Sequence, residues 1–414
     1  MNNVIIGQSG GPTAAINASV AGAYVKAKEL GANKVFGMIH GIEGLLHGEF
    51  IDLDKYLSDP TNVELLKRTP ASVLGTCRYK LPEASVDNSV YEQIFEILDN
   101  YNIDSFFYIG GNDSMDTIMK LSDYSSSHGY DKQFIGIPKT IDNDLPITDH
   151  CPGFGSSAKY IATSVKELIR DNQASDPRNP AIVIVEIMGR NAGWLAAAAS
   201  LCASDDCSGP DAIYLPEIPF DMDDFMNYAK ELSKGHKPAL IVISEGIKLA
   251  DGRYVCELNG NVETDTFGHK QMSAASRVLA DKLTNELGLR TRTVELSTLQ
   301  RAAAHVSSLT DVKEAYQCGV QAVIAASEKK TGKMVIMKRM MENTADYPYI
   351  CIYDTYDIHA IANYEKIVPV EWITDDKRGL TQSFEHYARP LICGEVMPIM
   401  SGGLPRHLII PEAL

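Results

Sequence analysis

Val4-Ile5-Ile6-Gly7-Gln8-Ser9-Gly10-Gly11-Pro12-Thr13 places a short β-branched run, a glycine turn and the approach to a helix in direct succession. The apolar run has strand character, and residues 14–30 behind the turn space their apolar side chains as a helix does. The same succession recurs outward along the chain. Strands are expected at 34–38, 105–110, 134–138, 181–189, 239–246 and 292–296, and helices at 90–100, 156–170, 271–287 and 311–329. Short apolar runs alternating with amphipathic segments describe βαβ units around parallel sheets. So many strands need at least two doubly wound α/β sheets.

The length of 414 residues fits two or three domains at roughly 150 residues each. Hydrophobic residues form 45% and charged residues 22% of the chain, the usage of a packed protein, which excludes a largely disordered or collagen-like one. Setting 38 basic against 54 acidic residues gives a net charge of -16. That charge repels nucleic acid and anionic membranes, so an anionic ligand requires a locally basic site. Cysteines at 77, 151, 202, 207, 256, 318, 351 and 393 form no CxxC pair, hence no zinc ribbon or disulfide scaffold, and a reducing compartment is expected. The opening residues lack a basic stretch followed by a long apolar one, and no window approaches the roughly 18 apolar residues of a membrane span. A cytoplasmic location is expected. HExxH, GxSxG and P-loop strings are absent, which leaves zinc protease, serine hydrolase and P-loop chemistry without support. Polar, proline-containing stretches at 175–180 and 204–210 read as surface loops, and the irregular stretch 353–414 is expected to pack on the second domain.

Chemistry gathers where the expected strands end. The turn Gly10-Gly11 lets backbone N–H groups approach phosphate oxygens, with a helix N-terminus behind it; alone it is equally a tight strand-to-helix turn. A second turn, Gly110-Gly111-Asn112-Asp113-Ser114, follows another strand, and two such turns can converge on one ligand. Asp113 stands out there, since a carboxylate in a phosphate cradle repels its ligand unless it excludes a competing group or holds a metal. The sharpest string is Pro138-Lys139-Thr140-Ile141-Asp142-Asn143-Asp144. It offers a cation for phosphate charge, a hydroxyl donor and two carboxylates, one of which can accept a hydroxyl proton during phosphoryl transfer. Met188-Gly189-Arg190-Asn191, Ser244-Glu245-Gly246 and Leu299-Gln300-Arg301 close later strands; arginine forks suit phosphate and glutamate accepts from sugar hydroxyls. Arg78 lies in a loop with no evident structural need for a cation, whereas His150 and His305 read as structural.

Taken together, PKTIDND, GGNDS, MGRNAG, SEG and LQR closely resemble the phosphofructokinase family, over about residues 4–329. The resemblance implies two Rossmann-like, three-layer α/β domains with mostly parallel sheets and an active-site cleft between them. Residues 1–152 with about 300–345 would bind the phosphoryl donor, and 153–299 with about 346–414 fructose 6-phosphate. It further implies Mg2+ as cofactor and a homodimer or homotetramer. By motif, Asp142 resembles the base that takes the sugar hydroxyl proton, beside Thr140, Ile141 and Asp144. Gly10, Gly11, Arg78 and Ser114 resemble donor-phosphate contacts. Met188, Gly189, Arg190 and Glu245 resemble the sugar-phosphate site, to which Thr298 also belongs by position, where pyrophosphate-using relatives often have tyrosine; Arg301 resembles its 6-phosphate ligand, and Arg292 one that reaches across from a neighbouring subunit. Asn112 stands at the magnesium-associated position, where aspartate is usual, and Ala181 replaces an arginine that some relatives use across the subunit interface.

Donor choice rests on Asp113 and Lys139. ATP-using members usually carry glycine at both positions, and the Asp–Lys pair is similar to the pyrophosphate-using branch. Ile42 likewise stands where ATP users often place an aromatic residue. The expected activity is reversible transfer from pyrophosphate to the 1-hydroxyl of fructose 6-phosphate, in glycolysis or gluconeogenesis, with ATP-dependent 6-phosphofructokinase as the alternative. A nucleotide-binding oxidoreductase is disfavoured by the incomplete GxGxxG, and a silent regulatory subunit by the presence of Asp142 and Lys139.

Overall fold

The computed structural model describes residues 2–175, 178–235, 237–259, 275–340 and 349–413. The first residues of the helix expected at 271–287 and part of the loop expected at 175–180 lie outside them. In chain order the principal strands are β1 Asn3–Gln8, β2 Lys34–Met38, β3 Phe50–Asp52, β4 Ile103–Gly110, β5 Gln133–Pro138 and β6 Ile182–Ile187. They continue with β7 Ala212–Tyr214, β8 Ala239–Ser244, β9 Thr291–Glu295, β10 Lys333–Arg339 and β11 Cys351–Asp357. The chain divides into two compact units, Met1–Ser156 with Arg301–Lys366 and Leu391–Leu414, and Ser157–Gln300 with Ile367–Pro390.

The first unit holds a seven-stranded sheet ordered β11-β10-β5-β4-β1-β2-β3. Its centre is parallel, and β3 and β11 run antiparallel at the edges. Alternation along each strand sends successive side chains to opposite faces. Val4, Ile6, Phe107, Ile109, Ile135 and Ile137 meet helices Ile16–Glu29 and Leu309–Ser327 on one face. Ile5, Phe106, Tyr108 and Phe134 meet helices Ser89–Asn100 and Asn112–His128 on the other. The second unit has a parallel sheet ordered β7-β8-β6-β9. Ile182, Ile184, Ile241 and Ile243 pack there against Phe225 of helix Met222–Lys234 and Leu279 of helix Ala275–Leu287. The α/β class with mostly parallel sheets is thus as expected.

The C-terminal stretch departs from the sequence reading. Residues 353–414, expected to pack on the second domain, are divided instead: β11 pairs with β10, and Leu408 and Ile410 bury in the first unit's core. Residues 367–390 alone of that stretch join the second unit. Helix Asn112–His128 shows no clear apolar periodicity in the sequence. Its buried Met115, Ile118 and Leu121 are diluted by serine and aspartate.

Helices Ile16–Glu29 and Leu309–Ser327 approach at two glycines. A Cβ on Gly22 would lie 2.0 Å from the Tyr316 carbonyl oxygen, and one on Gly319 would lie 2.1 Å from that of Ser19. Alanine gains about 1 kcal/mol over glycine in an open helix, whereas overpacking against backbone costs about 1–3 kcal/mol. Gly319→Ala is therefore expected to lower the thermal midpoint; an unchanged or higher midpoint would show that the helices separate freely.

Beneath this pair His150, 1% exposed, bridges two acids. Its Nδ1 lies 2.8 Å from Asp149 Oδ1 and its Nε2 2.7 Å from Glu314 Oε2. Arg339 bonds Asp149, and the Tyr349 hydroxyl donates to Glu314. Burial alone would lower the imidazole pKa, but the Glu314 and Asp149 charges and hydrogen bonds outweigh it and hold it at about 9. The folded value exceeds the unfolded one, so this stabilisation is complete below about pH 6.5 and is lost as the pH rises through about 9. Between about pH 7 and about pH 9.5 the thermal midpoint should fall more steeply for the natural protein than for His150→Gln. Parallel slopes would remove His150 as the cause.

Candidate active site

Strands β1, β4 and β5 are parallel neighbours, so their carboxyl ends lie side by side. The three strings that follow them therefore meet. Ser9 N–H donates to the Ile109 carbonyl at 2.9 Å, and Lys139 N–H to that of Gly110 at 3.0 Å. Lys139 Nζ crosses to the Gly11 carbonyl at 2.7 Å, with the side chain almost wholly buried. Gly10 adopts φ +73°, a left-handed turn that glycine enters without strain. A Cβ on Gly11 would stand 3.3 Å from an Arg301 guanidinium nitrogen, so the bare turn leaves room for that cation. The Arg78 loop is tied to the same turn, through Gly10 N–H to the Cys77 carbonyl and Thr76 Oγ1 to the Gly10 carbonyl.

The electrostatics report this crowding. Burial is the largest influence on Lys139, and with Arg301 and Arg78 it brings the ammonium down to about 8 against the opposing pull of Asp142 and Asp144. Burial and Arg78 likewise lower Arg301. Three cations held this close, two of them depressed, make a site that gains from an anion.

Past Lys139 the chain turns on itself. Thr140 Oγ1 accepts the Asp142 N–H at 3.0 Å and donates to Asp142 Oδ2 at 3.3 Å, which fixes that carboxylate beside the hydroxyl. Asn143, at φ +54°, accepts the Cys151 N–H with its side-chain oxygen. Asp144 is held above the ordinary carboxylate range by burial and by Asp142. Ser114 and Ile141 are buried, whereas Asp113 is exposed in the first turn of helix Asn112–His128. Both ends of the Asn112 amide are engaged by backbone, its Nδ2 with the Tyr364 carbonyl and its Oδ1 with Asn363 N–H. Ile42, which stands where ATP users often place an aromatic residue, is fully buried in the core. Among the described residues no group of three or more His, Cys, Asp or Glu side chains is arranged to hold a metal. Asp144, a carboxylate crowded by Asp142, could hold a divalent cation with ligand oxygens completing its shell, whereas the Asn112 amide is already bonded to backbone.

In the second unit β6 and β8 are parallel neighbours and bring Met188, Gly189 and Arg190 beside Glu245. Glu245 N–H donates to the Ile187 carbonyl at 2.8 Å, Ser244 Oγ donates to the Gly189 carbonyl, and Gly189 N–H points to Glu245 Oε1 at 3.4 Å. Met188 N–H donates to Gln300 Oε1 at 3.2 Å. Thr298 is exposed just beyond the carboxyl end of β9. Arg292 is not brought to this group. It is exposed near the start of edge strand β9, in register with Val183. One residue escaped the sequence reading: Glu217, which follows β7, accepts N–H groups from Gly193 and Val368. Its signal was an acid at the carboxyl end of yet another strand.

Comparisons with known proteins give the chain its family. A protein of Methylococcus capsulatus named pyrophosphate–fructose 6-phosphate 1-phosphotransferase is 38% identical over 99% of this chain and 96% of its own. One of the same name from Halomonas elongata is 38% identical over 98% and 95%. The crystal structure of a pyrophosphate-dependent phosphofructokinase from Nitrosospira multiformis superposes with a TM-score of 0.88 at 36% identity, covering 99% of this chain and 96% of that one. Residues 3–326 match the family model described as phosphofructokinase. Strand-end strings, parallel α/β sheets and relatives matched over nearly their whole length lead to one conclusion: the chain belongs to the phosphofructokinase family.

Proposed function

We propose that the protein transfers a phosphoryl group from pyrophosphate to the 1-hydroxyl of fructose 6-phosphate, reversibly, giving fructose 1,6-bisphosphate and phosphate. The observation that carries this reading is the gathering of Lys139, Arg78 and Arg301 around the Gly10–Gly11 turn, with Asp142 fixed nearby by Thr140. The names of the full-length relatives support pyrophosphate as donor.

Asp142 takes the proton of the 1-hydroxyl as that oxygen bonds to the transferring phosphorus. The bond to the leaving phosphate breaks, and its charge is met by Lys139, Arg78 and the turn N–H groups. The distance of Arg301 from Gly11 supports use of its charge there, besides the 6-phosphate role expected from the resemblance. Met188, Gly189, Arg190, Thr298 and Glu245 are assigned to the sugar phosphate. Asp144 would hold Mg2+ together with phosphate oxygens, and the bound ion would neutralise phosphate charge. Exposure of Arg292 on an edge strand supports its reach into a second copy, and we take the active species to be a homodimer or homotetramer. Among the described residues no helix is long and apolar enough to cross a membrane. The free thiols, most of them buried, support a cytoplasmic setting.

Fructose 6-phosphate, Mg2+ and pyrophosphate should yield fructose 1,6-bisphosphate, and Asp142→Asn should lower turnover at least about 100-fold while the circular dichroism spectrum is retained. No product from the natural protein, or near-normal turnover in the variant, would refute the assignment. By the resemblance, the Asp113 carboxylate would stand where a longer donor brings additional phosphate charge. Asp113→Gly is expected to admit ATP and to slow the pyrophosphate reaction. Steady-state rates with both donors decide this, and a variant that gains no ATP activity removes Asp113 as the selector.

A further inference from the structure

The turn that carries Arg190 is secured at both ends. Upstream, Gln300 takes the Met188 N–H and Ser244 takes the Gly189 carbonyl. Downstream the chain passes through Gly193 into Trp194, whose ring lies 5.3 Å from Tyr387 and 6.1 Å from Trp372. Glu217 completes that downstream hold. Its Oε1 accepts the Gly193 N–H at 2.7 Å and the Val368 N–H at 3.0 Å. Its Oε2 is buried and has no hydrogen-bond partner among the described residues. A Cβ on Gly193 would fall 2.6 Å from that oxygen, so the carboxylate sits directly against the backbone of the turn.

This arrangement is expensive for a merely structural acid. A carboxyl group with one buried, unpartnered oxygen loses hydration that nothing replaces, and burial accordingly raises its pKa. What it gains is position, because a single oxygen binds two backbone segments at once, one at residue 193 and one at residue 368. Val368, Trp372 and Tyr387 all lie beyond residue 326, where the match to the family model ends.

We infer that Glu217 is a positioning residue for the sugar phosphate, fixing the Met188–Gly193 turn against residues 367–390 so that Arg190 is presented in one orientation. The inference rests on the proposed fructose 6-phosphate reaction. Without the carboxylate the downstream end of the turn gains freedom, and ligand binding must then order it. Sugar-phosphate affinity falls, whereas the donor turn, built on β1, β4 and β5, is unaffected.

The test is isothermal titration calorimetry of the full chain with fructose 6-phosphate, combined with steady-state kinetics in both substrates. Glu217→Ala should weaken fructose 6-phosphate binding about tenfold or more, the scale of a lost charge-assisted hydrogen bond, and raise its KM in step. The KM for pyrophosphate should stay within about twofold, and Glu217→Gln, which keeps an acceptor oxygen, should recover most of the affinity. If Glu217→Ala does not fold, Glu217→Asp decides, because its shorter reach cannot serve both donors. Unchanged fructose 6-phosphate affinity in the folded variant overturns the inference, as does an equal rise in both KM values. A natural protein that binds fructose 6-phosphate while the variants match it refutes the positioning role alone; one that binds none refutes the functional reading and this inference with it.

Discussion

A lysine ammonium buried beside two guanidinium groups is the constraint around which the first unit's site is arranged. Lys139 reaches its position because β5 ends next to β4 and its side chain crosses to the carbonyl of Gly11. Holding it there demands a bare turn at Gly10–Gly11, carboxylates at Asp142 and Asp144 to offset its charge, and a rigid chain behind it. Rigidity comes from Asp311, whose carboxylate accepts the N–H groups of Gly153 and Ser156, and from the His150 bridge to Glu314 on the same helix. The cations repel one another and burial weakens their hydration, so the protein stores a deficit that a phosphate anion relieves. Preorganised charge of this kind needs no rearrangement when negative charge develops during transfer.

The second unit solves a different problem by related means. Its turn at residues 188–193 lies past the end of β6, where backbone groups need partners. They are supplied by side chains from separate stretches of chain: Gln300, Ser244, Glu245 and Glu217. A loop held by side chains from several elements keeps its shape only while all of them are in place. This explains how residues 367–390, outside the family match, come to bear on a turn that belongs to it.

Much of this was legible in the residue order. Local information is enough to recognise strand, glycine turn and helix, and β4, β5, β6, β8 and β9 lie close to their expected places. The strings at strand ends were legible because parallel topology gathers carboxyl ends at one edge of a sheet, so residues distant in sequence become neighbours by rule. Some of what escaped had plain local signals, as in helix Met222–Lys234 behind its Asp221 cap and in β10 with its buried apolar run at 334–337; the rest had weak ones. Helix Asn112–His128 carries few apolar residues, and β11 is an edge strand whose outward side chains Ile352 and Tyr356 are exposed.

The sequence by itself determined the α/β class, the family and the list of groups able to handle a phosphate, because each depends on short strings or on periodicity. Tertiary structure alone decided where those groups lie and what they bond. It set Arg301 beside Gly11 and left Arg292 at the far end of β9, although the two lie close in the chain. It tied Asn112 to the backbone of residues 363–364, and it made an acid in an unremarkable Leu-Pro-Glu stretch the tether between Gly193 and Val368. Hydrogen bonds and burial act over a few ångströms in space, and only folding determines which residues come within that range.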